Sequence, residues 1–150
     1  MRKLAITIAV LAGFAAATAI AQAPSAADQI KARQANFKAL GGSFKTIMDQ
    51  TKAPSPDLAQ IKAASAKLKP LATSLPTWFP KGTGPEAGVK TAAKAEIWTD
   101  AAGFAAAAKA LQDAAAKLDA ATDVAGAQAA AGEVGKACGG CHSKYREKQS

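Results

Sequence analysis

Cys138, Cys141 and His142 are the residues of this chain best placed to do chemistry: two thiols three positions apart, with an imidazole directly after the second. They are its only two cysteines and its only histidine. The spacing Cys-x-x-Cys-His is the pattern by which a c-type haem is attached. Two thiols add across the two vinyl groups as thioethers, and the adjacent histidine reaches the iron as an axial ligand. Each competing chemistry lacks a part. A zinc centre needs four protein ligands, or three and a water, and no second Cys or His cluster exists. A thioredoxin-like dithiol sits near a βαβ pattern, which this chain does not have. A disulfide across two intervening residues closes a small, strained ring that staples almost nothing.

The N-terminus reads as an export signal. Arg2 and Lys3 form a basic start, Leu4 to Ala17 is uncharged and mainly apolar, and Ala19-Ile20-Ala21 is a small-x-small cleavage site. Met1–Ala21 is therefore expected to be a signal peptide and residues 22–150 one domain, located in the periplasm. The alternative is an uncleaved anchor, against which the short run and the cleavage site both speak. Bacterial c-type haem is attached outside the inner membrane, so export and motif agree. Cleavage leaves seventeen bases and eleven acids, about +6 instead of the full chain's +8. The lysines are scattered, with no aromatic-interleaved stripe. Nucleic acid is not expected as a partner, nor a membrane after cleavage; the readings left are a solvated surface or a face for an acidic redox partner.

The motif needs a scaffold, and the alanine-rich, β-poor composition favours helix. Four segments carry heptad-like apolar stripes. The first holds Ile30, Phe37, Leu40, Phe44 and Ile47 and opens with Ser25 and Asp28 spaced as a capping box. The second opens at Ser55-Pro56-Asp57, read as a cap with proline at the first helical position. Its stripe is Leu58, Ile61, Leu68 and Leu71, and Pro70 is expected to kink or end it. The third holds Ile97, Trp98, Ala101, Phe104, Ala108, Leu111 and Leu118; the fourth Val134, Cys138, Cys141, His142 and Tyr145. Two short links and one long Pro/Gly loop then predict an all-α, antiparallel four-helix bundle. Cys138, Cys141 and His142, at i, i+3 and i+4, share one face of the last helix. A porphyrin there supplies much of the apolar contact that a thin core lacks.

Other residues can be read toward that cofactor. Arg33 interrupts the apolar stripe of the first helix. A charge there needs a partner, and a haem propionate suits its forked guanidinium; snorkelling to the surface is the alternative. Arg146, four residues past His142, either tunes the imidazole or favours the helix C-terminus. Met48 is the one methionine left for a sixth ligand. It lies about 16 Å along the helix from Phe37, so it reads as core filler and the iron as five-coordinate. Gly41-Gly42 costs helix stability, which suggests close approach of a helix or porphyrin, or else a bend. Trp98 and Phe104 line the core or the pocket.

These residues together resemble cytochrome c′, the high-spin branch of the class II c-type cytochromes. The resemblance rests on Cys138-Gly-Gly-Cys-His142-Ser-Lys-Tyr145-Arg146 near the C-terminus, on Arg33-Gln-Ala-Asn-Phe37-Lys-Ala-Leu-Gly-Gly42, and on Glu96-Ile97-Trp98 with Phe104. It implies one covalent haem c held by Cys138 and Cys141, with His142 on the iron, Arg33 at a propionate and Phe37 blocking the sixth position. It also implies Arg146 as the basic residue near His142, and a homodimer through the first two helices. Binding of NO and CO with discrimination against O₂ is implied too. Pro70 departs from the family pattern. Two functions stay open: an electron carrier and a nitric oxide trap or sensor. A low-spin carrier with Met48 or another sixth ligand is the alternative. An enzyme such as a peroxidase is not expected, because no histidine and arginine pair serves a distal site.

Overall fold

The computed structural model describes residues 23–148, so the expected leader, Met1–Ala21, lies outside the described residues. Among them are five α-helices: α1 (Ala26–Thr51), α2 (Leu58–Ser74), α3 (Glu96–Thr99), α4 (Ala101–Ala120) and α5 (Val124–Tyr145). The four long ones, α1, α2, α4 and α5, form the expected antiparallel bundle. Around it α1 packs on α2, α2 on α4 and α4 on α5, and α5 closes back on α1. This last seam is the most sparsely packed of the four. No strand occurs among the described residues; the one β feature is an isolated antiparallel bridge between Ala93 and Arg146. No described helix is long and apolar enough to cross a membrane.

The helix ends follow local chemistry, with corrections. Ser25 caps α1 as expected: its Oγ accepts from the Asp28 amide at 3.2 Å and donates to the Asp28 carboxylate at 2.7 Å. At α2 the cap is Asp57 rather than Ser55. Its Oδ1 accepts from the amides of Ala59 (2.8 Å) and Gln60 (3.2 Å), so Pro56 stays outside the helix. Pro70 does not end α2, which runs on to Ser74. The bond lost is the one to the Ala66 carbonyl, and both residues are exposed, so water can take its place. The third segment is two helices, broken at Asp100 (φ −117°, ψ 58°). The break takes Ala101 off the stripe and leaves it exposed. Gly41-Gly42 does not break α1, and a Cβ on either would meet nothing of this chain within 4 Å. The close-approach reading is therefore not met within the chain.

Packing differs along the bundle. Toward the α1–α2 and α4–α5 connections the core is aliphatic, with Ile47, Ile61 and Leu118 all but inaccessible. Toward the long α2–α3 connection it is aromatic. Phe37 meets Trp78 edge to face at 5.2 Å, Phe79 meets Phe104 at 4.9 Å, and Phe104 meets Tyr145 at 5.4 Å. The connection is anchored because it carries Trp78 and Phe79 inward, although most of its other residues are exposed. Trp98 Nε1 ties it down, donating to the carbonyls of Phe79 (3.1 Å) and Pro80 (3.3 Å).

Candidate functional site

α5 presents Cys138, Cys141 and His142 within about its last two turns, inside the helix as the spacing predicts. Both thiols are half-buried, free and packed against the core. Burial pushes both above the ordinary thiol range, and Cys141 is raised further by its neighbour Cys138. They are therefore protonated at neutral pH, which speaks against a reactive thiolate pair. His142 lies at the outer side of the same turn. Partial desolvation, and then the Arg146 charge, hold its imidazole below the usual histidine range. Arg146 caps α5 and is exposed; with His142, Ser143, Glu147 and Lys148 it lines an open groove.

The α1–α5 seam sets the register of the site. A Cβ added to Gly135 would lie 3.5 Å from the Phe44 ring, so these two residues face each other. Seven residues back along α1 stands Phe37; seven residues on along α5 stands His142. Antiparallel helices rise equally per residue, so Phe37 and His142 are level across the seam. Met48 is eleven residues from Phe37 on α1, about 16 Å of helix away from that level. It is half-buried among the aliphatic side chains.

Arg33 is buried, 3% exposed, on the inner face of α1. It does not snorkel. Its Nη1 donates to Thr83 Oγ1 (3.0 Å) and the Trp78 carbonyl (3.5 Å). Its Nη2 donates to the Thr83 carbonyl and to Thr91 Oγ1, both at 2.9 Å. The guanidinium lies 4.7 Å from the centre of the Phe79 ring. Every partner is neutral, and no carboxylate among the described residues pairs with it. Desolvation lowers its pKa for the same reason.

Sequence reasoning missed the centre of this cluster. Phe79 touches Arg33, Phe37, Trp98 and Phe104, and through Phe104 it connects to Tyr145. Thr83 and Thr91, which serve Arg33, were missed as well. The available signal was the pair Trp78-Phe79 between Pro76 and Pro80: large aromatics in a turn-rich stretch are seldom left in water. Arg33, Phe37, Trp98 and Tyr145 come together around Phe79, whereas Arg146 stands apart on the groove beside His142.

Do these residues fit a haem? Two protonated thiols on the core side of α5, with an imidazole beside them at the outer side of the same turn, are the donor set that attachment requires. The seam beside them is sparsely packed and bordered by aromatic rings. Arg33 is a buried cation still without an anion, which a propionate provides. The residues fit.

A four-helix bundle with a haem-attachment motif on its last helix defines a class II type of c-type cytochrome. The comparisons agree. The Cytochrome C′ family model matches residues 28–146. Cytochrome c′ of Rubrivivax gelatinosus is 39% identical over 125 residues, covering 81% of this chain and 95% of that protein. Its crystal structure superposes with a TM-score of 0.77 at 38% identity, covering 84% of this chain and all of that one. A ferrous variant of cytochrome c prime from Alcaligenes xylosoxidans with bound NO gives a TM-score of 0.76 at 34% identity, over 85% of this chain. The chain belongs to the cytochrome c′ family, whose members are haem proteins.

Proposed function

We propose that this protein is an exported, periplasmic cytochrome c′ that carries one haem c through Cys138 and Cys141, with His142 as the only protein ligand to iron. The observation that carries the reading is the register of the α1–α5 seam. Phe37, not Met48, is level with His142 across the seam, which supports an apolar ring rather than a sulfur at the sixth position. Haem c supplies one-electron exchange at iron and, when five-coordinate, a site for a diatomic ligand.

The chain's own residues shape that chemistry. Phe37 offers no hydrogen-bond donor to a bound ligand, which favours NO and CO over O₂. Arg33 meets a propionate with the Nε–H that no described residue accepts. The loop bonds on its two Nη atoms hold the guanidinium still, and Phe79 and Trp98 close the aromatic wall around it. Arg146 bears on the proximal imidazole, a role supported by its charge acting on His142. The NO complex among the similar structures supports gas binding, and a one-electron carrier role uses the same site. The small, exposed residues along α1 and α2, among them Gly41, Gly42 and Ala63, support pairing of two copies through these helices.

The test is titration of the reduced holoprotein with CO and NO, followed by absorption. Saturable spectral changes with both gases are expected; a protein that binds neither contradicts the reading. Phe37→Met is expected to shift the spectrum toward low spin. An unchanged spectrum would mean that Phe37 does not face the iron.

A further inference from the structure

The final turn of α5 carries His142 only four residues before its cap at Arg146. Helix C-termini lack donors for their last carbonyls and fray readily. An iron ligand in such a turn is no better placed than the turn itself. Here the turn is pinned from a neighbouring helix. Tyr145, 3% exposed, donates its hydroxyl proton to Asp100 Oδ2 at 2.8 Å, and Lys144 Nζ donates to the same oxygen at 2.6 Å. The other oxygen of Asp100 accepts from the Gly103 amide at 3.1 Å and so caps α4. One carboxylate therefore ties the start of α4 to the end of α5. Just beyond, the Lys94 amide donates to the Tyr145 carbonyl (3.1 Å) and the Glu147 amide to the Ala92 carbonyl (2.8 Å). Gly103 completes the fit, because a Cβ there would collide with the Asp100 carboxylate and the Tyr145 hydroxyl.

We propose that Asp100 is a positioning residue for His142: by holding Tyr145 and Lys144 it fixes the last turn of α5 and with it the orientation of the imidazole on the iron. The inference rests on His142 being the iron ligand. It also gives the break at Asp100 a purpose. A continuous third helix would place this carboxylate inside a helix instead of at its start, with no free amide to cap.

The test reads the iron–imidazole stretching band of the reduced holoprotein by resonance Raman, together with the midpoint potential. Tyr145→Phe, which removes a single oxygen, and Asp100→Ala are both expected to shift and broaden the band and to move the potential. Asp100→Asn, whose Oδ1 can still accept from Gly103 and whose Nδ2–H can donate to the Tyr145 hydroxyl, is expected to keep the band closer to the wild type than Asp100→Ala does. Leu68→Ala, a core deletion on α2, should lower the melting temperature and leave band and potential in place. A wild-type band and potential in both Tyr145→Phe and Asp100→Ala, at any melting temperature, overturn the proposal. Should Asp100→Ala fail to fold, Tyr145→Phe decides. Amide exchange at Arg146 gives a second readout on the protein as purified: faster exchange in Tyr145→Phe is expected, and unchanged exchange contradicts the pinning. A haemochrome assay showing no covalent haem in the wild type would defeat the cofactor reading, while the exchange result still tests the clamp.

Discussion

Toward the α1–α2 and α4–α5 connections the bundle closes on Ile47, Ile61 and Leu118, each no more than 1% exposed, and its packing needs nothing beyond the chain. Toward the long connection it closes on Phe37, Phe79, Phe104 and Tyr145 in edge-to-face contact, with two half-buried thiols and a buried arginine that has only neutral partners. The same fold thus has one end that is a finished protein core and another built to hold a group with its own charge and apolar surface. Stability belongs mostly to the first and coordination to the second, and perturbations at the two ends should separate them.

The largest effect is expected at the second end. Cys138→Ser with Cys141→Ser should abolish covalent haem, read by mass spectrometry and by extraction of pigment into acidified solvent. Retained covalent haem would break the assignment of both thiols. At the first end, Ile61→Ala should cost about 2–5 kcal/mol in denaturant unfolding through the cavity it leaves. Its absorption spectrum should stay that of the wild type, and a changed spin state would mean that the two ends are not separable.

Gly103→Ala acts at the second end, beside Tyr145. Its Cβ strikes both Asp100 and Tyr145, and overpacking of this kind costs about 1–3 kcal/mol. The same cluster predicts a pH effect. The Lys144 hydrogen bond, and then that of Tyr145, hold the Asp100 carboxyl down at about 2. A carboxylate depressed in the folded state adds stability above its unfolded pKa and loses it as pH falls through the folded value. Stability should therefore decline between roughly pH 4 and pH 2, from the ordinary aspartate value downward. Asp100→Asn should decline less over that window in chemical unfolding, and an identical slope would remove Asp100 from the cluster. The smallest change is expected at Gly41→Ala, where the added methyl finds open space in an exposed helix. A gain of about 1 kcal/mol is expected; a loss would mean that something outside this chain approaches there.

The parts legible in the sequence were those that depend on local spacing. Heptad stripes marked the four long helices, the Ser25–Asp28 spacing marked a cap, and Cys138, Cys141 and His142 marked one face of α5. What escaped depends on which of two local options wins, or on contacts between distant segments. Asp57 displaced Ser55 because an Asp carboxylate reaches two amides at once. Pro70 remained helical because its freed carbonyl faces water. Asp100 breaks the third segment because its carboxylate caps α4 while accepting from Lys144 and Tyr145 on another helix. Phe79 was invisible because its importance comes from four partners scattered over the chain. Arg33 was read correctly as a buried charge, yet its hydroxyl and carbonyl partners on the long connection could not be foreseen from spacing.

The central claim is that His142 alone ligates the iron while Phe37 faces an open sixth position. The most direct measurement is the absorption spectrum of the purified holoprotein in its ferric and ferrous states, without added ligand. Five-coordinate, high-spin spectra in both states are predicted. A six-coordinate, low-spin spectrum in either state would contradict the account and turn attention to Met48 or another internal ligand.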